Sequence, residues 1–572
     1  MNFKLRSLVP AALLATPMIA CGAASIAVNV DFNARGRPLS PLIFGVSFGD
    51  AAQNKKTGYT LDRWGGNSTT RYNWRGPAHN AGSDYFFLGY GNDQTDDADT
   101  FIGDANAAAA QVLLTLPTIG WVEKFDGAHP TAVHWGYSQS AYGAQSLDEC
   151  RYYDPQPPDW CHGDAGNGQC DSQVNTTGHC INGRIAGNDP ADTSTPNTPG
   201  DVAAWIAHLQ ASFGVAAGGG VKVYALDNEL MLWNSTHRDI HPDPVGFDEA
   251  WGRTQAYAAA IKQAEPDALV TGPVTWGYCD LFGSAQDNCV IGADRNAHGL
   301  PFVAWYLQQV CANPLAGGKH AVDYLDLHYY PQDPNGSATS IVSDADDSTT
   351  AARRLSSLKE LYNPAWVSNS WISDLGDDAT WHYSKPNLIP RVRAWIDQYC
   401  PGTKLAITEY NWGGDSTASG AVAQAELLGI FAREGVDLAA RWVAPAANSN
   451  AEKAFNLFLD YDGAGAHVRG DSVGAISANV DQIGAYAFRD FGRHDIVLLT
   501  NKDTSSHSVA LTFAQSRGAG CALYQFDASH AVHSVAVTCN AGSTVALGGL
   551  PAMSASLLVL PDNDGLFRNG FE

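Results

Sequence analysis

Basic residues are scarce in this chain. Only 34 Lys and Arg stand against 59 Asp and Glu, a formal charge of −25 over 572 residues, and no Lys/Arg run interrupts the deficit. A surface that acidic repels phosphate backbones, which sets nucleic acid aside as a partner. Long apolar runs are missing too. Nothing reaches the roughly 20 residues that a membrane-spanning helix needs, so no membrane role is expected. No Gly-rich dinucleotide turn follows a first strand, which leaves a redox role without support. Charged residues of either sign reach just 16%, while hydrophobic residues make up 45%. That balance supplies sizeable cores and argues against a disordered chain.

The first 24 residues have the make-up of an export signal. Lys4 and Arg6 precede an apolar stretch over residues 8–20, and Gly22, Ala23 and Ala24 offer a cleavage site. Met18-Ile19-Ala20-Cys21 loosely resembles a lipoprotein processing site, with Met a poor fit at its first position. A secreted protein is therefore the expectation, with lipid anchoring as the alternative. Ten cysteines remain beyond Cys21, an even number that points to disulfides in an exported chain. Short spacing favours Cys279–Cys289 and Cys521–Cys539, and Cys311–Cys400 is a looser pairing. Cys150, Cys161, Cys170 and Cys180 lie in a stretch rich in Asp, Gly, Pro and Asn, without the CxxC pairs of zinc sites. A disulfide-stapled surface loop is the expectation there.

Apolar runs of strand character recur at 41–49, 60–65, 111–122, 221–228, 268–276, 322–330, 404–412 and 438–445. Helical periodicity appears between several of them, as where Val202, Trp205, Ile206 and Leu209 share one face. Eight strands alternating with helices predict a (β/α)8 TIM barrel. After about residue 450 the texture turns to short apolar or alternating stretches such as 454–459, 496–500, 508–513 and 556–560, which predicts an accessory all-β sandwich. The resulting plan is a signal at 1–24, a strand within 25–40 that joins the sandwich, a barrel at 41–450, a sandwich at 451–561 and a polar tail at 562–572.

Two predicted strands end in carboxylates. Val221-Lys222-Val223-Tyr224-Ala225-Leu226 runs into Asp227-Asn228-Glu229, and Lys404-Leu405-Ala406-Ile407-Thr408 into Glu409. A carboxylate at the end of an apolar strand is costly unless a partner or a function requires it. In a barrel, both would reach the cleft at the C-terminal face, from strands four and seven. Two carboxylates about 5–5.5 Å apart suit retaining glycoside hydrolysis, one as proton donor and the other as nucleophile. Asn228 is placed to bond a sugar 2-hydroxyl.

The segment Asp227-Asn228-Glu229 with Leu232-Trp233-Asn234-Ser235-Thr236-His237-Arg238-Asp239-Ile240-His241-Pro242 resembles the acid/base region of glycoside hydrolase family 44. Ile407-Thr408-Glu409-Tyr410-Asn411-Trp412-Gly413 is similar to the family's nucleophile segment. Asp62-Arg63-Trp64-Gly65-Gly66-Asn67-Ser68-Thr69-Thr70-Arg71-Tyr72-Asn73-Trp74 is similar to its early barrel signature, and Asp326-Leu327-His328-Tyr329-Tyr330-Pro331 to its strand-six motif. The resemblance covers residues 25–560 and implies an endo-β-1,4-glucanase or xyloglucanase, with Glu229 as acid/base and Glu409 as nucleophile. It implies no cofactor for catalysis and raises the prospect of a structural calcium, without naming its ligands. Leu230 departs from the usual Pro, and the 150–180 stretch lies outside the common pattern.

Further substrate-binding candidates are Arg63, which would hold Glu409 ionised, Tyr330, and Trp64, Trp233, Trp412 and Trp442 near strand ends. An acidic loop (Asp93, Asp96, Asp97, Asp99) is a candidate calcium site. His237 and His241 are spaced like metal ligands, although packing explains them better. A β-glucan substrate and a monomer are expected. The alternatives are a related barrel hydrolase acting on xylan or arabinan, or a non-catalytic polysaccharide-binding protein.

Overall fold

The computed structural model describes residues 25–82, 89–91, 97–134 and 136–561. Strand β1 (Ile26–Asp31) comes first, and eight parallel strands then close on themselves. They are β2 (Gly45–Ser47), β3 (Leu61–Trp64), β4 (Gln111–Leu116), β5 (Val223–Leu226), β6 (Leu269–Thr275), β7 (Tyr324–Tyr329), β8 (Lys404–Tyr410) and β9 (Leu438–Arg441). β3, β5, β7 and β9 are buried at every position, as parallel strands covered on both faces must be. Leu61, Leu113, Val223, Ala225, Ala406 and Leu438 form one apolar cluster within the barrel. Toward the strand C-termini the buried residues become polar, including Arg63, Asp227, His328 and Thr408.

The helices between strands form for legible reasons. Pro199–Phe213 opens with a Thr198/Asp201 capping box and Pro at its first position. It buries the predicted stripe of Val202, Trp205, Ile206 and Leu209. Ala418–Glu434 is capped by Thr417 and is buried almost all round, because it lies between the barrel and a second sheet.

That second sheet contains β1 and eight later strands: β10 (Asp471–Ser477), β11 (Ile483–Asp490), β12 (His494–Asn501), β13 (His507–Arg517), β14 (Ala522–Phe526), β15 (His533–Val535), β16 (Gly542–Leu550) and β17 (Ser554–Pro561). Their order is β15-β14-β17-β12-β11-β10-β1-β13-β16, with Arg37–Pro38 added beside β10. β1 pairs antiparallel with β10 and parallel with β13, so the chain's start bridges the two halves of the sandwich. Val30, Val497, Leu511 and Leu558 share its core.

Two segments differ from the sequence reading. Residues 454–459 lie in a helix, Asn450–Leu459, capped by Ser449 and packed on Ala418–Glu434. The sandwich therefore begins at Asp471, beyond the expected 451. The run is apolar at every position but Asn456, and an apolar stretch that short does not distinguish a strand from a buried helix. The run 111–122 is not one strand either: β4 stops at Leu116, and Trp121–Glu123 pairs antiparallel with Ser194–Pro196.

Five disulfides close Cys150–Cys161, Cys170–Cys180, Cys279–Cys289, Cys311–Cys400 and Cys521–Cys539. The first two staple the insertion that follows β4. The expected export signal and C-terminal tail lie outside the described residues, as do Asp93 and Asp96.

Candidate active site

Glu229 stands three residues beyond the end of β5, and Glu409 is the next-to-last residue of β8. Strict alternation along β8 would turn Glu409 outward, since Leu405 and Ile407 pack outside the barrel. The register against β7 shifts after Ile407, so that Glu409 rather than Thr408 pairs with His328. The pairing with β9 shifts over the same residues. This extra residue turns Thr408 and Glu409 both toward the barrel mouth, the usual work of a bulge. Glu229 reaches the same place through a left-handed backbone (φ 46°), its N–H donating to Val274 O at 3.1 Å.

The two carboxylates and His328 present atoms that all lie within 4.8 Å of one another. His328 Nδ1 sits 2.9 Å from Glu229 Oε1 and 3.5 Å from Glu409 Oε2. Its Nε2 meets Thr408 Oγ1 at 3.1 Å. That hydroxyl donates to Asp326 Oδ1 at 2.7 Å, so it accepts from the ring and leaves Nδ1 facing the glutamates. Arg63 donates from Nη1 to Glu409 Oε1 and from Nη2 to Asn228 Oδ1, both at 2.7 Å. Tyr330 OH donates to Glu409 Oε2 at 3.0 Å.

These surroundings separate the two acids. Burial raises Glu229 above the usual carboxylate range, and the neighbouring Glu409 charge adds to it, against the opposing pull of His328 and Arg63. Burial also pushes Glu409 upward, but the adjoining His328 and Arg63 charges and the hydrogen bonds from Arg63 and Tyr330 outweigh it and hold Glu409 low. The surroundings thus favour the protonated form of Glu229 and the ionised form of Glu409.

Beneath them, Asp227 accepts from Thr70 Oγ1 at 2.6 Å and from Ile119 N at 3.1 Å, tying β5 to the loops after β3 and β4. Asn228 is buried, accepting from Arg63 and Gly66 N and donating to Asn67 Oδ1 at 2.9 Å. Of the four tryptophans proposed as sugar platforms, only Trp442 fits. It is half-buried beside Arg63, 5.7 Å from the guanidinium carbon, and packs against Gly66, where a Cβ would lie 2.6 Å from its ring. Trp64, Trp233 and Trp412 are 3%, 1% and 2% exposed. Trp64 packs on Tyr72 and Trp205, and Trp412 stacks on Tyr329 and donates to Ser357. A strand-end position in sequence does not say which face a ring takes, and these three face the core.

His328 was the residue sequence reasoning missed as a site residue. It lay within a quoted motif, but a lone strand histidine carries no signal until β7 and β8 are seen side by side. His237 is fully buried, and His241 bonds Glu249 Oε1 at 2.8 Å. Asp97 caps the Ala98–Ala107 helix and Asp99 pairs with His208, so these two carboxylates are already engaged. Among the described residues, the other set close enough to share a cation is Cys311–His320–Cys400, whose sulfurs are disulfide-bonded.

A parallel barrel that brings two carboxylates together at its C-terminal mouth, one raised and one lowered in acidity, defines a glycoside hydrolase. Comparison with known proteins narrows the class. The description of glycoside hydrolase family 44 matches residues 78–333. A crystal structure of a bifunctional glucanase-xylanase from a metagenome library is 35% identical, with a TM-score of 0.81, covering 94% of this chain and 99% of that one. A family 44 endoglucanase structure from Clostridium acetobutylium is 26% identical, with a TM-score of 0.73 and coverage of 94% and 100%. Endoglucanase A of Paenibacillus lautus is 28% identical over 486 residues, which is 81% of this chain but 62% of that protein, so the chain spans less than two-thirds of that relative. The chain belongs to glycoside hydrolase family 44.

Proposed function

We propose that the chain is an exported, retaining endo-β-1,4-glucanase that cleaves cellulose-type glucans and xyloglucan. The observation that carries this reading is the unequal environment of two carboxylates that each bring an oxygen within 4.8 Å of the other, which favours the short separation of retaining enzymes over the longer one of inverting enzymes. In the first step, Glu409 attacks the anomeric carbon and Glu229 gives its proton to the departing glycosidic oxygen, leaving a glycosyl ester on Glu409. In the second, Glu229, now a carboxylate, takes a proton from water. The water oxygen then displaces Glu409 with net retention.

Arg63 and Tyr330 aim Glu409 and hold it ionised before attack. Asn228 carries one amide proton beyond its bond to Asn67, which suits it to the sugar 2-hydroxyl. Trp442 offers an indole 5.7 Å from the Arg63 guanidinium carbon. The relatives named above are endoglucanases and a bifunctional glucanase-xylanase, which supports a glucan substrate and favours xylan as a second one. Five disulfides support export, and no described helix is long and apolar enough to cross a membrane.

Reducing-sugar release from xyloglucan, carboxymethylcellulose and xylan, by wild type, Glu229→Gln and Glu409→Gln, tests the reading. Wild type should cut, and each variant should lose at least about 1,000-fold while remaining folded. Proton NMR of the first product should show the β-anomer. An inactive wild type, or an initial α-anomer, refutes it.

A further inference from the structure

The disulfide-stapled insertion after β4 belongs to no role assigned above, yet its residues 159–162, together with residues between 123 and 136, line an open cavity of about 580 Å³. The cavity has the make-up of a sugar site. Phe125 and Trp160 supply rings, and Asp126, Asp159 and Asp192 line the cavity with them. Both rings are fixed before any ligand arrives. Phe125 is 39% exposed and lies against Gly76, where a Cβ would stand 2.0 Å from the ring, so only glycine admits it. Trp160 stacks on His129 at 4.5 Å and meets Tyr153 edge-on at 5.3 Å, next to the Cys150–Cys161 bridge. Rings held this way lose little freedom on binding.

The cavity is tied to the catalytic cleft by a short rigid segment. Asn67 receives the Asn228 amide beside Glu229, and Arg71, at the other end of the same 3-10 turn (Asn67–Arg71), pairs with Glu123 in the cavity wall at 3.0 Å. That turn is about 8 Å long at roughly 2 Å per residue. Both features occupy the C-terminal face of the barrel, so a chain lying in the cleft and running past this turn meets Phe125 and Trp160 a few sugar rings from the scissile bond.

We propose that the insertion forms a distal subsite that grips the same neutral β-linked glycan chain whose cleavage is proposed above, an inference that rests on that reading. Hydroxyl pairs would bond the carboxylates while ring faces pack on the indole and phenyl groups. Binding there is remote from the bond that breaks, so it serves long chains and not short ones.

The test compares Trp160→Ala and Phe125→Ala with wild type on carboxymethylcellulose, on xyloglucan and on an aryl β-cellobioside too short to span the turn. Each variant should raise KM on the polymers about five-fold or more and leave kcat/KM on the short substrate within two-fold. Calorimetry without turnover uses the Glu409→Gln protein with cellohexaose and cellotriose, and adding Trp160→Ala should weaken the hexaose alone by five-fold or more. Unchanged polymer KM and hexaose affinity overturn the subsite while leaving the glucanase reading intact. An equal loss on the short substrate also overturns it, since the effect is then a general disturbance. A wild type inactive on every glucan removes the glucanase reading, and the subsite falls with it.

Discussion

Arg63 holds Glu409 with one guanidinium nitrogen and Asn228 with another, and Gly65 leaves room for it: a Cβ there would lie 2.5 Å from the guanidinium carbon. Lysine would offer a single ammonium in place of this two-nitrogen fork. Arg63→Gln also removes the cation that lowers Glu409. In the proposed mechanism Glu409 must be ionised to attack, so activity should fall as pH drops through its pKa. Raising that pKa moves the acid limb of the kcat/KM profile to higher pH, with an expected loss of about 100-fold or more at the optimum. The same mechanism assigns the opposite limb to Glu229, the proton donor, whose pKa is raised chiefly by burial. His328 pulls its pKa down, so His328→Gln should move the basic limb upward. Profiles measured on a soluble glucan check both, and an acid limb that stays put in Arg63→Gln would break the assignment of Glu409.

At the scale of the element, the Asn450–Leu459 helix shows how one apolar run supports two readings. Phe455 meets Tyr59 edge-on at 5.0 Å, and Phe458 packs near Phe44 and Phe488. Such a residue is a core element of the barrel flank. Phe455→Ala should therefore cost about 3–5 kcal/mol, read by urea unfolding. A change under about 1 kcal/mol would show that the helix contributes little to the fold. The extra residue in β8 belongs to this scale as well, because it turns Glu409 inward after a strand whose outer residues are apolar.

Across the whole molecule, barrel and sandwich share a buried polar seam. Glu426 on the Ala418–Glu434 helix pairs with Lys502 at 2.7 Å and accepts from Tyr486 OH at 3.0 Å and from the Thr500 hydroxyl. Removing one partner leaves a buried charge uncompensated. Lys502→Met should lower stability by about 3–5 kcal/mol in chemical denaturation, and an unaffected midpoint would mean the seam is not closed in solution. Gly429 on the same helix lies so close to Tyr486 that a Cβ would stand 2.7 Å from its ring. Gly429→Val should consequently push the two layers apart and lower Tm by several degrees, without touching the glutamates.

The alternation of apolar strands with amphipathic helices, the change of texture toward the C-terminus and the two strand-end glutamates were all legible along the chain. Each is a local pattern: periodicity reports a buried face, and a carboxylate closing an apolar run stands out from its neighbours. Close cysteine spacing was legible for the same reason. Tertiary structure alone decided which tryptophans face the cleft, since Trp64, Trp233, Trp412 and Trp442 look alike in sequence and only Trp442 leaves the core. It alone decided that His328 bridges two acids from strands four and seven, and that Arg63, expected on Glu409, also holds Asn228. Proton affinity and ring orientation depend on atoms brought together from hundreds of residues apart, and no local pattern encodes that meeting.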